Sequence, residues 1–118
     1  MVFSLDSAIK KRLSISAEEL SIFCQNWKIN ELALFGSVLR SDFRDDSDID
    51  VLISFDADTS WSLLDWVTMR EQLQGIFCRD VDLADKQGLK NPYRRYEILK
   101  SCQVIYLSLE DYLKSALL

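Results

Sequence analysis

Residues 34–55 read LFGSVLRSDFRDDSDIDVLISF. Two apolar runs bracket a charged middle. Glu31 to Phe35 predicts a short strand that stops at Gly36-Ser37, and Ile49 to Phe55, rich in β-branched side chains, predicts a central strand. Between them, Arg40 to Ser47 carries five charges (Arg40, Asp42, Arg44, Asp45 and Asp46) and reads as a loop.

The chemistry of this stretch lies at its strand ends. Side chains two apart in a strand point to one face, so Asp48 and Asp50 can converge on one cation while Ile49 faces the core. Hard carboxylate oxygens of this kind suit Mg²⁺, which is held by one or two carboxylates together with substrate phosphates. An acidic strand end at the surface gives the same pair, so the pair alone does not define a site. A calcium loop begun at Asp42 is excluded, because Ser47 stands where glycine is needed and Ile53 where the bidentate Glu belongs. Gly36-Ser37, opening a helical turn, offers backbone amides and a hydroxyl to phosphate oxygens, although Gly-Ser is also a common turn. Asp82, between Val81 and Leu83, has two readings: an outward-facing member of an alternating strand, or a charge held at an expensive buried position for use.

The flanks alternate helix and strand. Ser16 and Glu19 form a capping-box start for a helix whose Leu20, Phe23, Cys24 and Trp27 make one apolar face. Trp61 to Phe77 predicts the longest helix, with Leu63, Trp66, Met69, Leu73 and Ile76 on one stripe and with Trp61 and Leu64 off it, hinting at a second contact surface. Val81 to Leu83 is a short strand. Pro92 suits the first turn of a helix reaching about Lys100. Gln103 to Leu107 is a last strand, and a short helix follows. The expected class is α/β (α+β): one small mixed or antiparallel sheet flanked by helices.

Composition narrows the function. A chain of 118 residues, 48% apolar and 28% charged, is expected to form one domain spanning residues 1–118. Fourteen basic against nineteen acidic residues give a net charge of −5, a poor balance for binding a polynucleotide backbone. With no histidine, Ser-His-Asp and Cys-His nucleophile systems are excluded, as are His-ligated metals. Chemistry falls to carboxylates, hydroxyls, amines or thiols. Cys24, Cys78 and Cys102 match no metal or redox spacing and read as reduced, packed residues in apolar surroundings. The start MVFSLDSAIKKRL lacks the pattern of a signal peptide, and no run approaches the roughly 20 apolar residues of a membrane span. A cytoplasmic location is expected.

Together, Gly36-Ser37, ten intervening residues, Asp48-x-Asp50 heading an apolar strand, and a later strand Asp resemble the nucleotidyltransferase superfamily of DNA polymerase β. More narrowly, residues 34–55 are similar to the signature of the minimal nucleotidyltransferase (MNT) family, including Arg40, the Ser47-Asp48-Ile49-Asp50 tetrapeptide and Val51-Leu52-Ile53. Arg79-Asp80-Val81-Asp82-Leu83 resembles the strand that supplies its third carboxylate. The likeness runs from about Glu18 to Tyr106, with one departure: Ser41 stands where the family commonly has glycine.

The resemblance implies a polymerase-β-like core and a two-Mg²⁺ transfer of a nucleotide from a nucleoside triphosphate such as ATP. It makes Asp48, Asp50 and Asp82 metal ligands, and gives Asp82 the proton of the acceptor hydroxyl. Gly36 and Ser37 would hold the triphosphate tail, and Arg40 would contact a phosphate or the acceptor, or be a solvated loop charge. The family's known setting is a toxin–antitoxin pair in which the MNT protein moves AMP from ATP to a tyrosine of a HEPN ribonuclease toxin. That is the leading expectation. The alternatives are transfer to a small-molecule hydroxyl, and a non-catalytic antitoxin that neutralises its partner by contact. Three convergent, unused carboxylates would only repel one another, which counts against the last.

Overall fold

The computed structural model describes residues 2–3, 13–41, 43–44 and 46–116. Among the described residues the strands and α-helices are β1 (Val2–Phe3), α1 (Ala17–Asn26), β2 (Ile29–Phe35), β3 (Ile49–Phe55), α2 (Leu63–Phe77), β4 (Val81–Asp85), α3 (Pro92–Ser101), β5 (Gln103–Leu107) and α4 (Leu109–Ala116). The strands form one sheet in the order β1-β5-β2-β3-β4. Every pairing is antiparallel except β3 with β4, which is parallel, so the sheet is mixed, as expected. Among the described residues no helix is long and apolar enough to cross a membrane.

Strand alternation divides the sheet into two faces. Leu32 and Leu34 of β2, Ile49, Val51 and Ile53 of β3, and Val81 of β4 join the larger core with Leu20, Phe23 and Cys24 of α1 and Met69, Leu73 and Phe77 of α2. Burying a side chain of this size stabilises the fold by about 1.5–3 kcal/mol, so this face carries most of the stability. The opposite face has a smaller core, Ala33, Leu52 and Ile98, with Phe35, Ala84, Leu89, Leu99 and Cys102 against it. Helix α3 covers that face only in part. The rest of it is where chemistry is possible.

Local chemistry explains the helix starts. The Ser16 hydroxyl accepts from the Glu19 N–H at 3.2 Å, as the sequence predicts. A complete capping box begins α2, where Asp65 N–H donates to Ser62 Oγ at 3.1 Å and Ser62 N–H to the Asp65 carboxylate at 2.8 Å. Asn91 caps α3 ahead of Pro92, accepting from the N–H groups of Tyr93 and Arg94.

Three expectations need correction. Leu63 is not on the buried stripe: it is 83% exposed, because the first turn of α2 overhangs the core; contact with the core starts at Trp66 and full burial at Met69. Trp61 is not on a second contact surface. It precedes the helix and packs edge-on against Trp27, with ring centroids 5.1 Å apart, and against Phe55 at 6.3 Å. Cys24 is buried and Cys102 half-buried, but Cys78 is exposed, since it leaves α2 in a left-handed conformation (φ 57°) that turns its side chain outward. Asp42 and Asp45 of the charged loop lie outside the described residues, as does most of the stretch before Leu13.

Candidate active site

Sheet register brings the expected carboxylates to one place. Asp50 shares its face of β3 with Leu52, and Asp82 its face of β4 with Ala84, so both point to the side that α3 covers. The two are paired residues of the parallel β3–β4 ladder. Phe35, the last residue of β2, is paired with Asp50 from the other side. Asp82 is exposed on the outer strand of the sheet, which favours the outward-facing reading of its position. Asp48 is exposed and stands just before β3, whose first residue Ile49 is fully buried.

Gly36 abuts this pair. It has φ +75°, and a Cβ placed there would collide with the Asp50 carboxylate. From Gly36 to Leu39 the chain makes one 3₁₀ turn, closed by Arg40 N–H donating to the Ser37 carbonyl at 2.9 Å. Ser37 is thus half-buried beside Gly36, and Arg40 leaves the turn exposed to solvent.

Electrostatics ties the set together. The Asp50 carboxyl is pushed above the usual carboxylate range, first by burial and then by the negative charges of Asp82 and Asp48. The guanidinium groups of Arg40 and Arg94 pull it back down. Asp50, with Asp82 and Asp48 close enough to oppose its ionisation, presents together with them the hard oxygen donors that suit a divalent cation in chemistry. Among the described residues no group of three such side chains is placed to hold an ion together.

Two contributors escaped the sequence reading. Arg94 lies one turn before Ile98 on α3, so the residue that anchors this helix to the sheet also aims Arg94 along the same face toward Asp50. The spacing of four from an apolar helix residue was its only signal. Arg79 fixes the charged loop: its Nη1 donates to the carbonyls of Arg44 (2.8 Å) and Ser47 (3.2 Å), and its guanidinium lies 4.4 Å from the Phe43 ring centroid. Ser47 Oγ in turn accepts from Arg44 N–H at 2.9 Å. The segment leading into Asp48 is therefore tied to the start of β4, a contact across 32 residues that no local pattern reveals.

Comparison with known proteins identifies the domain. Residues 18–105 match the model of the nucleotidyltransferase domain. The chain is 34% identical over 77 residues to MJ1379, a candidate protein adenylyltransferase of Methanocaldococcus jannaschii, covering 65% of this chain and 77% of that protein. It is 33% identical over 67 residues to the protein adenylyltransferase MntA of Thermococcus cleftensis, covering 57% and 66%. Among solved structures, the complex of a tri-AMPylated Shewanella oneidensis HEPN toxin with an MNT antitoxin superposes with a TM-score of 0.57 at 17% identity, over 80% of this chain and 71% of that one, a likeness of fold. With the matched domain spanning both the Gly36-Ser37 turn and the strand of Asp82, the chain belongs to the nucleotidyltransferase domain family.

Proposed function

We propose that this protein is an antitoxin that transfers AMP from ATP to a tyrosine hydroxyl of a cognate HEPN ribonuclease, and so silences it. One observation carries the catalytic part: Asp50 and Asp82 face each other in register, with Gly36 closed against Asp50. Relatives named as adenylyltransferases, and a fold shared with an MNT antitoxin bound to an AMPylated toxin, support the choice of donor and partner.

Asp48, Asp50 and Asp82 would hold two Mg²⁺ ions. When bound, Mg²⁺ supplies charge neutralisation at the phosphates and at the leaving pyrophosphate. The amides of the Gly36 turn and the Ser37 hydroxyl receive the triphosphate tail, and Arg40 and Arg94 flank it. Asp82, open to solvent at the sheet edge, meets the incoming hydroxyl and takes its proton. The hydroxyl oxygen then forms a bond to the α-phosphorus as the bond to pyrophosphate breaks. The attached AMP places a bulky anion where RNA phosphates must approach the toxin. An acidic chain, at net charge −5, also suits a basic RNA-cleaving partner.

The test uses Asp48→Asn with the cognate toxin. The expected variant still forms the complex but adds no AMP mass to the toxin and fails to protect cells. If it protects as well as the unaltered protein, neutralisation is by contact and the transfer reading fails.

A further inference from the structure

A cleft of about 430 Å³ lies between the Gly36–Leu39 turn and helix α3. Its floor is apolar, from Phe35, Leu39 and Ile98, and Arg40, Glu97 and Ser101 stand at its rim. Gly36 belongs both to this cleft and to the wall against Asp50, so the cleft lies beside Asp50. Its size falls within the roughly 300–1,000 Å³ of small-molecule sites, and its apolar floor with a few polar groups is their usual character. Ser101 Oγ donates to the Glu97 backbone carbonyl at 2.9 Å. The Glu97 carboxylate itself has no hydrogen-bond or ion-pair partner among the described residues.

We propose that this cleft seats the nucleoside of the donor triphosphate, its base on Phe35, Leu39 and Ile98, with Glu97 accepting a hydrogen bond from an amino group of the base. The inference rests on the nucleotidyl-transfer reading above and adds to it the site that selects the nucleotide. Charge separates the two halves of the ligand. Inside the cleft a phosphate chain would meet the apolar floor and the Glu97 carboxylate; Arg40, shared between the rim and the Asp50 end, and Arg94 favour it at the Gly36 end, where bound Mg²⁺ would offset the carboxylates. The uncharged nucleoside therefore takes the cleft and the phosphates take the end beside Gly36. A carboxylate can only accept, so it pairs with an amino edge and is repelled by a carbonyl edge. Adenine presents an amino group where hypoxanthine presents a carbonyl.

The experiment measures binding of ATP, ITP and inorganic tripolyphosphate to the full chain by calorimetry with Mg²⁺ present. The unaltered protein is expected to bind ATP about fivefold or more tighter than ITP, and Glu97→Ala to shrink that preference below about twofold. Ser101→Trp, which fills the cleft from an exposed helix position, is expected to weaken ATP by about tenfold or more while tripolyphosphate changes by less than about twofold. ATP binding that ignores Ser101→Trp, an ATP preference absent at the outset or untouched by Glu97→Ala, or equal loss of ATP and tripolyphosphate would each overturn the cleft assignment and leave nucleotidyl transfer standing. A protein that binds neither ATP nor tripolyphosphate would overturn both.

Discussion

Gly36 and Asp50 are packed so closely that position 36 has no room for a side chain: any Cβ would overlap the Asp50 carboxylate. The same residue sits at φ +75°, a conformation that costs an L-residue about 1–2 kcal/mol. One glycine therefore lets the chain turn sharply after β2 and lets Asp50 keep its place.

Gly36→Ala is expected to abolish transfer, because Asp50 must rotate away from Asp82 to clear the methyl group. Backbone strain adds a stability loss of about 1–2 kcal/mol, small enough for the fold to persist. Denaturant melts alongside AMP-transfer assays check both. Full activity in the alanine variant would show that Asp50 works in another orientation.

Asp50→Asn tests the crowding of the carboxylates. A carboxyl that ionises less readily folded than unfolded costs no stability below its unfolded pKa, about 3.9. The cost grows as pH rises from there through the raised folded value, and is complete above it. In chelator, the melting temperature of Asp50→Asn should hold or exceed that of the unaltered protein, with the gap widening across that interval and then levelling. Parallel melting curves at every pH would mean that neither burial nor Asp82 and Asp48 raise the Asp50 carboxyl.

Arg94→Ala should raise the KM for ATP by about tenfold, the scale of a lost hydrogen bond to a charged group, and leave the melting temperature unchanged. Arg94 is exposed and makes no ion pair within 4 Å among the described residues, so its removal disturbs little else. An unchanged KM would confine its role to offsetting the charge of Asp50.

Trp61 and Leu64 should part company. Trp61→Ala removes a ring packed against Trp27 and Phe55 and should cost about 3 kcal/mol or more. Trp61→Phe should cost far less, since the Trp61 Nε1–H is buried with no partner among the described residues and nothing polar is lost with it. Leu64→Ala, at a side chain 73% exposed, should stay within about 0.5 kcal/mol. Urea denaturation of the three variants measures all of this, and a large loss at Leu64 would contradict the placement of the first turn of α2.

The sequence by itself determined most of the elements, though not β1, and named the residues to which the chemistry is assigned. β-Branched alternation defined β3 and β5 to the residue, Ser16 and Pro92 marked helix starts, and Gly36-Ser37 with Asp48-x-Asp50 named the residues of the candidate site, because each of these signals is local. Tertiary structure alone decided what depended on distant partners. Pairing register set Asp82 opposite Asp50, which no spacing within β4 could state. Packing drew Trp61 into the aromatic cluster and left Leu63 outside, although the helical stripe assigned them the other way. Arg94 and Arg79 gained their places from the docking of α3 on Ala33 and Leu52 and from a contact spanning 32 residues. A periodic pattern says which side of an element is apolar. Only the neighbouring elements settle how far along that side the core extends and which charges meet across it.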